Sequence, residues 1–245
     1  PFAWGGDKPA RIGLIPRAAP SASGKGAAAP VQWFELPPFY TFHIANAWEE
    51  PSDGSIRIAA CHFDRFDFDA LESDKMTERQ EQSIWEYCLY PATGKSSMRQ
   101  ISSVCGDFPV IHPNLHCHKT KYTWVAKLSS VPGQPVAFTG IAKVDLDAKP
   151  GKDGLIGEIE FPPRCYGGEA SFVPRHQNPK KGQEDDGWLV TYVCHEDENA
   201  SKLHIYNAKT MDPKPVAVLR LPARVPLGFH GMWMTEEQIK SQPMC

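Results

Sequence analysis

The chain has 245 residues, and its 26 Lys+Arg against 29 Asp+Glu give a formal charge of −3. With no basic excess to drive binding to a phosphate backbone, nucleic acid is disfavoured as a main partner. An apolar share of 41% beside 22% charged residues argues against wholesale disorder, and no apolar run approaches the ~20 residues that span a bilayer as a helix.

The 23 prolines, about twice their usual share, act with 19 glycines as frequent punctuation. Such a chain favours many short strands over long helices. Its opening, PFAWGGDKPARIG, reads as mid-domain sequence, and residues 18–30, small and low in complexity, read as a surface loop insertion. Period-2 or β-branched runs then predict strands at 55–63, 83–90, 97–104, 121–128 and 137–146. Further strands are predicted at 155–161, 170–175, 187–195, 202–208 and 216–222, with turn signals such as PATGK (91–95) and NAKTMDPK (207–214) between them. Only 69–82 reads as helical, and its charge makes it a solvated surface excursion. Strands succeeding one another every ten residues or so imply an all-β sandwich, barrel or propeller. The strand–turn–strand units at 137–161 and 202–222 resemble each other, which tips the choice towards a propeller.

Two histidines stand in apolar strings: His43 in PFYTFHIANAWEE and His230 in LPARVPLGFHGMW. A neutral imidazole in such a setting can hold a transition metal, but a buried histidine satisfied by a backbone carbonyl is the commoner case. Asp107 in CGDFPVIHP and Glu169 in CYGGEASFVPR sit in runs where a lone buried carboxylate would be expensive. Each could cap a turn, or accept the free N–H of a metal-bound imidazole. HPNLHCH (112–118) packs His112, His116, Cys117 and His118 too tightly to close a tetrahedron and reads as a solvated loop. The carboxylates of EDDG (184–187) and HEDEN (195–199) fit no calcium-loop spacing and read as solvated turns. No GxSxG, P-loop or GxGxxG occurs. Seven cysteines, odd in number and without a C-x-x-C pair, fit a reducing compartment.

Taken together, RIGLIPR (11–17), FHIANAWEE (42–50), DFPVIHP (107–113), YGGEASFVPR (166–175), EDDGWLVTYVCHED (184–197) and RVPLGFHG (224–231) closely resemble the carotenoid cleavage oxygenase family, above all its plant and algal members. The resemblance runs in order from about residue 3 to residue 240. It implies a seven-bladed β-propeller with Fe(II) on its axis, held by four histidines with three carboxylates behind them. His43 matches the third of those histidines and His230 the fourth; Glu169 matches the carboxylate behind His230 and Asp107 the one behind His43. Many members carry Glu where this chain has the shorter Asp107. Nothing before RIGLIPR resembles the first two histidine motifs or the first carboxylate. The expectation is therefore a C-terminal portion (1–245) of a single propeller domain, an incomplete ring with the later blades and half a metal site. The implied activity is a non-heme Fe(II) dioxygenase that uses O2 to cleave a carbon–carbon double bond of a carotenoid or apocarotenoid into carbonyl products. The alternatives are a catalytically incomplete fragment acting as a binding or scaffold module, and an isomerase or hydrolase on the same scaffold. The resemblance also implies a plastid address, with cytosol as the alternative, and peripheral contact with membranes. Phe42, Trp48, Phe229 and Trp233 are available to line an apolar tunnel or to pack the core.

Overall fold

The computed structural model describes residues 4, 6, 8–16, 30–66, 82–129, 137–178, 181–226 and 230–242. Most of the expected loop at 18–30, the helix expected at 69–82 apart from its last residue, and Phe229 lie outside that set.

Among the described residues fifteen strands form four antiparallel sheets. The first pairs β1 (Ala10–Leu14) with β2 (Gln32–Leu36). The second is a meander of β3 (Ile44–Glu50), β4 (Ser55–Phe63), β5 (Gln82–Tyr90) and β6 (Lys95–Ser102) in spatial order 3-4-5-6. The third repeats the plan with β7 (Gly106–Val110), β8 (Tyr122–Ser129), β9 (Ala137–Asp145) and β10 (Leu155–Glu160). In the fourth, β11 (Cys165–Tyr166) and β12 (Ser171–Pro174) both pair with β13 (Gly187–His195), followed by β14 (Ala200–Asn207) and β15 (Ala217–Arg220). Successive four-stranded meanders are the unit of propeller blades. The two alike units of the sequence are the outer hairpins β9–β10 and β14–β15 of neighbouring sheets.

The sheets pack face to face in chain order, with an apolar layer in each gap. Phe34, Leu36, Tyr87 and Leu89 fill the first gap. Trp48, Ala59, Cys61, Ile84, Val125 and Val144 fill the second, and Trp124, Ile141, Phe172, Leu189, Val193 and Tyr206 fill the third. Strand β13 shows how the pattern is made: Leu189 and Val193 face the core, while Tyr192 points outward and is 53% exposed. Trp124 is wholly buried, stacks on Phe172 at 4.6 Å and donates its indole N–H to the Ala208 carbonyl at 3.1 Å, which joins the third and fourth sheets.

All ten predicted strands are present within a few residues of their expected bounds. Five others, β1, β2, β3, β7 and β11, carried no recognised strand signal. Strand β7 illustrates why: Gly106 and Pro109 argue against a strand, yet β7 lies at a sheet edge, where a missing N–H is tolerated.

Two loop readings need correction. His112 is buried, not solvated, and its Nδ1 accepts from the Asn114 N–H to cap a 3-10 turn at Pro113–Leu115; His116, Cys117 and His118 are exposed as expected. The EDDG segment is not a solvated turn. Asp185 is buried against Lys143 Nζ at 2.7 Å, and Glu184 accepts from the Thr120 hydroxyl and the Lys121 and Tyr122 amides. A carboxylate gathers such partners when burial would otherwise leave it unpaired. Among the described residues no helix is long and apolar enough to cross a membrane, and the six described cysteines are free thiols.

Candidate metal centre

The leading strand of each of the last three sheets is an edge strand, and the chain is irregular within or beside it where a site residue stands. His43 immediately precedes β3, whose register against β4 shifts between Ile44 and Asn46. Asp107 lies in β7, where the register slips between Asp107 and Val110 around Phe108, a residue with φ of 52°. Glu169 stands in the break between β11 and β12. There Gly167 donates to the Phe138 carbonyl at 2.8 Å and leaves no room for a Cβ against the Phe161 ring. Bulges and breaks at sheet edges re-aim side chains, and here three of them aim at one place.

The four expected site residues form two pairs. His43 Nδ1 lies 2.8 Å from Asp107 Oδ1, with side chains 28% and 9% exposed. His230 Nδ1 lies 3.3 Å from Glu169 Oε2, and Gly231 N donates to the same oxygen at 2.8 Å, so Glu169 holds both the ring and its backbone. The two imidazole centroids are 5.2 Å apart at an interplanar angle of 75°. A carboxylate at Nδ1 fixes the proton on that nitrogen and puts the lone pair on Nε2. Two imidazoles sharing an ion at about 2.1 Å per nitrogen would set their ring centroids roughly 4.5–5.5 Å apart, for ligand angles between square and tetrahedral. The observed spacing lies within that range, so the pair fits a transition metal through two neutral nitrogen donors. Among the described residues no group of three or more His, Cys, Asp or Glu side chains forms a metal-holding cluster, the 112–118 run included.

The backbone of His43 is fixed as firmly as its ring. Its carbonyl accepts from the Cys61 amide at 3.0 Å and the Thr41 hydroxyl at 3.2 Å. Cys61 is fully buried; burial, and then the Asp107 carboxylate nearby, push its thiol pKa well up, so it stays neutral. Three residues after His43, the buried Asn46 donates to the Leu115 and His118 carbonyls and accepts from Cys117 N, clamping the 112–118 loop beside the site.

The three described aromatics expected to serve a tunnel or the core divide between core and surface. Trp48 is core, buried between the second and third sheets. Phe42 is 45% exposed and makes edge contacts with Tyr40, Phe63 and Phe66 beside His43. Trp233 is 52% exposed and helps line a cavity of about 300 Å³ on the Glu169–His230 side, with Tyr166, Tyr192, Leu203 and Met232. Sequence reasoning missed Phe108, whose ring touches both imidazoles, because a phenylalanine following an aspartate carries no local signal.

The profile of the family described as "RPE65: Retinal pigment epithelial membrane protein" matches residues 1–235. A carotenoid 9,10(9',10')-cleavage dioxygenase of Crocus sativus is 35% identical over 98% of this chain and 44% of its own length. A rice (Oryza sativa subsp. japonica) protein named 9-cis-epoxycarotenoid dioxygenase NCED1, chloroplastic, is 31% identical over 95% of this chain and 34% of its own. The crystal structure of cobalt-substituted Synechocystis ACO superposes with a TM-score of 0.74 at 28% identity, covering 93% of this chain and 44% of that one. The chain thus spans less than half the length of these relatives.

Proposed function

The chain belongs to the RPE65 family of carotenoid oxygenases, and from that premise we propose that it forms the C-terminal part of a non-heme Fe(II) dioxygenase. The proposed reaction adds the two atoms of O2 across one carbon–carbon double bond of a carotenoid or apocarotenoid, breaking it into two carbonyl products. The observation that carries this reading is the convergence of His43 and His230, each oriented by its own carboxylate, to 5.2 Å between ring centroids. In the proposed centre these histidines supply two of four imidazole ligands, and the other two belong to the part of the relatives' length that this chain does not span. Three successive meanders are then the later blades of a seven-bladed ring. Imidazole donors alone suit several transition metals; the choice of iron rests on the family.

Bound iron would supply activation of dioxygen. The chain's own groups hold and orient. Asp107 and Glu169 keep the Nδ1 protons in place and lend distant negative charge to an otherwise neutral ligand set. Phe42, backed by the buried Phe63 and Phe66, offers an apolar surface beside His43 against which a polyene can lie with one double bond near the centre. The cavity by Trp233 provides a second apolar surface on the His230 side. A plastid address is proposed from the chloroplastic relative, with cytosol as the alternative, and the hydrophobic substrate favours peripheral contact with a membrane.

Replacing His230 with Ala in the natural full-length protein is expected to abolish iron retention and cleavage; undiminished iron and activity would refute the assignment. The second reading is a non-catalytic binding or scaffold module. Tightly held, stoichiometric iron in the 245-residue chain alone would count against that reading. Product analysis with labelled oxygen separates cleavage from isomerase or hydrolase chemistry on the same scaffold.

A further inference from the structure

Phe108 departs from what its surroundings would ordinarily impose. It is a bulky residue within an edge strand, yet its φ is 52°, a left-handed conformation that L side chains rarely adopt and that non-glycine residues keep only when the neighbourhood enforces it. The kink coincides with the register slip that separates Asp107 from Val110. Its consequences all fall on the candidate centre. The Phe108 amide donates to Asp107 Oδ1 at 2.8 Å, the same oxygen that meets His43 Nδ1. The buried ring lies 5.0 Å from the His43 imidazole and 5.3 Å from that of His230, edge-on to the latter at 79°. With 5.2 Å between the imidazoles, the three rings form a nearly equilateral triangle. Phe138 backs Phe108 at 5.0 Å from the third sheet.

We propose that Phe108 is a positioning residue for the His43–His230 pair: its left-handed backbone aims the Asp107 carboxylate and its ring, wedged against both imidazoles, fixes their separation and tilt. This deepens the reading of the centre as a metal site and rests on it. What distinguishes Phe108 is that one residue touches both rings and also caps the carboxylate of one of them. An aromatic edge or face gives an imidazole a preferred tilt that an aliphatic chain does not. A phenyl ring also offers no donor or acceptor to compete for either imidazole nitrogen.

The test is Co(II) binding to the natural full-length protein, read by the visible ligand-field spectrum and by the dissociation constant, at a temperature where each variant is folded. Phe108→Leu keeps apolar volume but removes the aromatic wedge. Phe108→Gly removes the ring and accepts the left-handed backbone without strain, so it tests the wedge even if the leucine variant folds poorly. Both are expected to weaken Co(II) at least tenfold and to alter the ligand-field bands, in line with the 10–100-fold losses typical of groups that orient metal ligands. Affinity and spectrum within twofold of wild type in the leucine or the glycine variant would overturn the proposal, whatever happens to the melting temperature. His230→Ala, measured alongside, separates the two claims. If it binds Co(II) as wild type does, the metal-site reading fails; if it loses Co(II) while the Phe108 variants keep it, only the role of Phe108 falls.

Discussion

Lys143 and Asp185 form the most deeply buried ion pair among the described residues, with side chains 4% and 9% exposed and a 2.7 Å contact. Lys143 also lies 4.4 Å from the Tyr122 ring centre and 5.6 Å from that of Trp124, and donates to the Lys209 carbonyl at 3.3 Å. It thereby joins strand β9 of the third sheet, which carries Asp107 on its edge strand β7, to the segments flanking β13 and β14 of the fourth. Lys143→Met keeps the stem but leaves the Asp185 charge buried without its ammonium partner. Removing one member of a buried pair costs about 3–5 kcal/mol, and for a chain of this size each kcal/mol moves the melting temperature by roughly 2–4 °C. A drop of about 6–20 °C in calorimetry is expected. The double variant Lys143→Met/Asp185→Leu removes the orphaned charge and should recover most of that loss, because well-packed apolar replacements of buried pairs are often near neutral. Lys240→Ala, which breaks an ion pair between side chains 73% and 81% exposed, serves as the contrast and should shift the melt by no more than a degree or two. A single variant within 2 °C of wild type, or a double variant worse than the single, would refute the argument.

Asp107→Asn retains an oxygen for the Phe108 amide and for His43 Nδ1 but removes the charge; metal affinity should fall about tenfold with little change in melting temperature, as a metal titration beside calorimetry would record. Acid unfolding should show two separable limbs. Burial, then the neighbouring His195 and Lys202, hold His204 at about 4, down from 6.5. The unfolded chain binds that proton more readily, so this stability is fully present above pH 6.5 and lost as pH falls towards 4, on the order of 2–4 kcal/mol. His204→Gln should flatten this limb in urea titrations run at successive pH values. Asp153 is pushed up by burial, but the Ser102 and Ser103 hydroxyls and the Leu155 and Ser103 amides outweigh that and hold it at about 2, down from 3.8. Its contribution is present above pH 3.8 and fades towards pH 2, and Asp153→Asn should remove that second limb.

The fold was legible wherever the strand pattern was local. From Gly187 to Val193 buried and less buried positions alternate, and the predicted strand 187–195 matches β13 end to end. The leading edge strands β7 and β11 were not legible, because the features that make them functional are the features that disguise them: Pro109 and the kink at Phe108 in β7, and the Gly167–Gly168 break before Glu169. Nor can spacing tell that Asp185, inside a turn-like EDDG, meets Lys143 from another sheet. For the site, composition left His43 and His230 as ordinary buried histidines, and the family resemblance singled them out. Their closeness depends on three sheet edges converging, a long-range consequence of topology that no local window of sequence contains.

The central claim is that His43 and His230 bind one ion through Nε2 while their Nδ1 protons stay on Asp107 and Glu169. Proton NMR of the Co(II)-loaded full-length protein in H2O and D2O tests this most directly. The account predicts strongly shifted, solvent-exchangeable N–H resonances from both rings, one of which vanishes in His43→Ala and another in His230→Ala. A spectrum whose shifted exchangeable signals are the same in wild type and in both variants would contradict it.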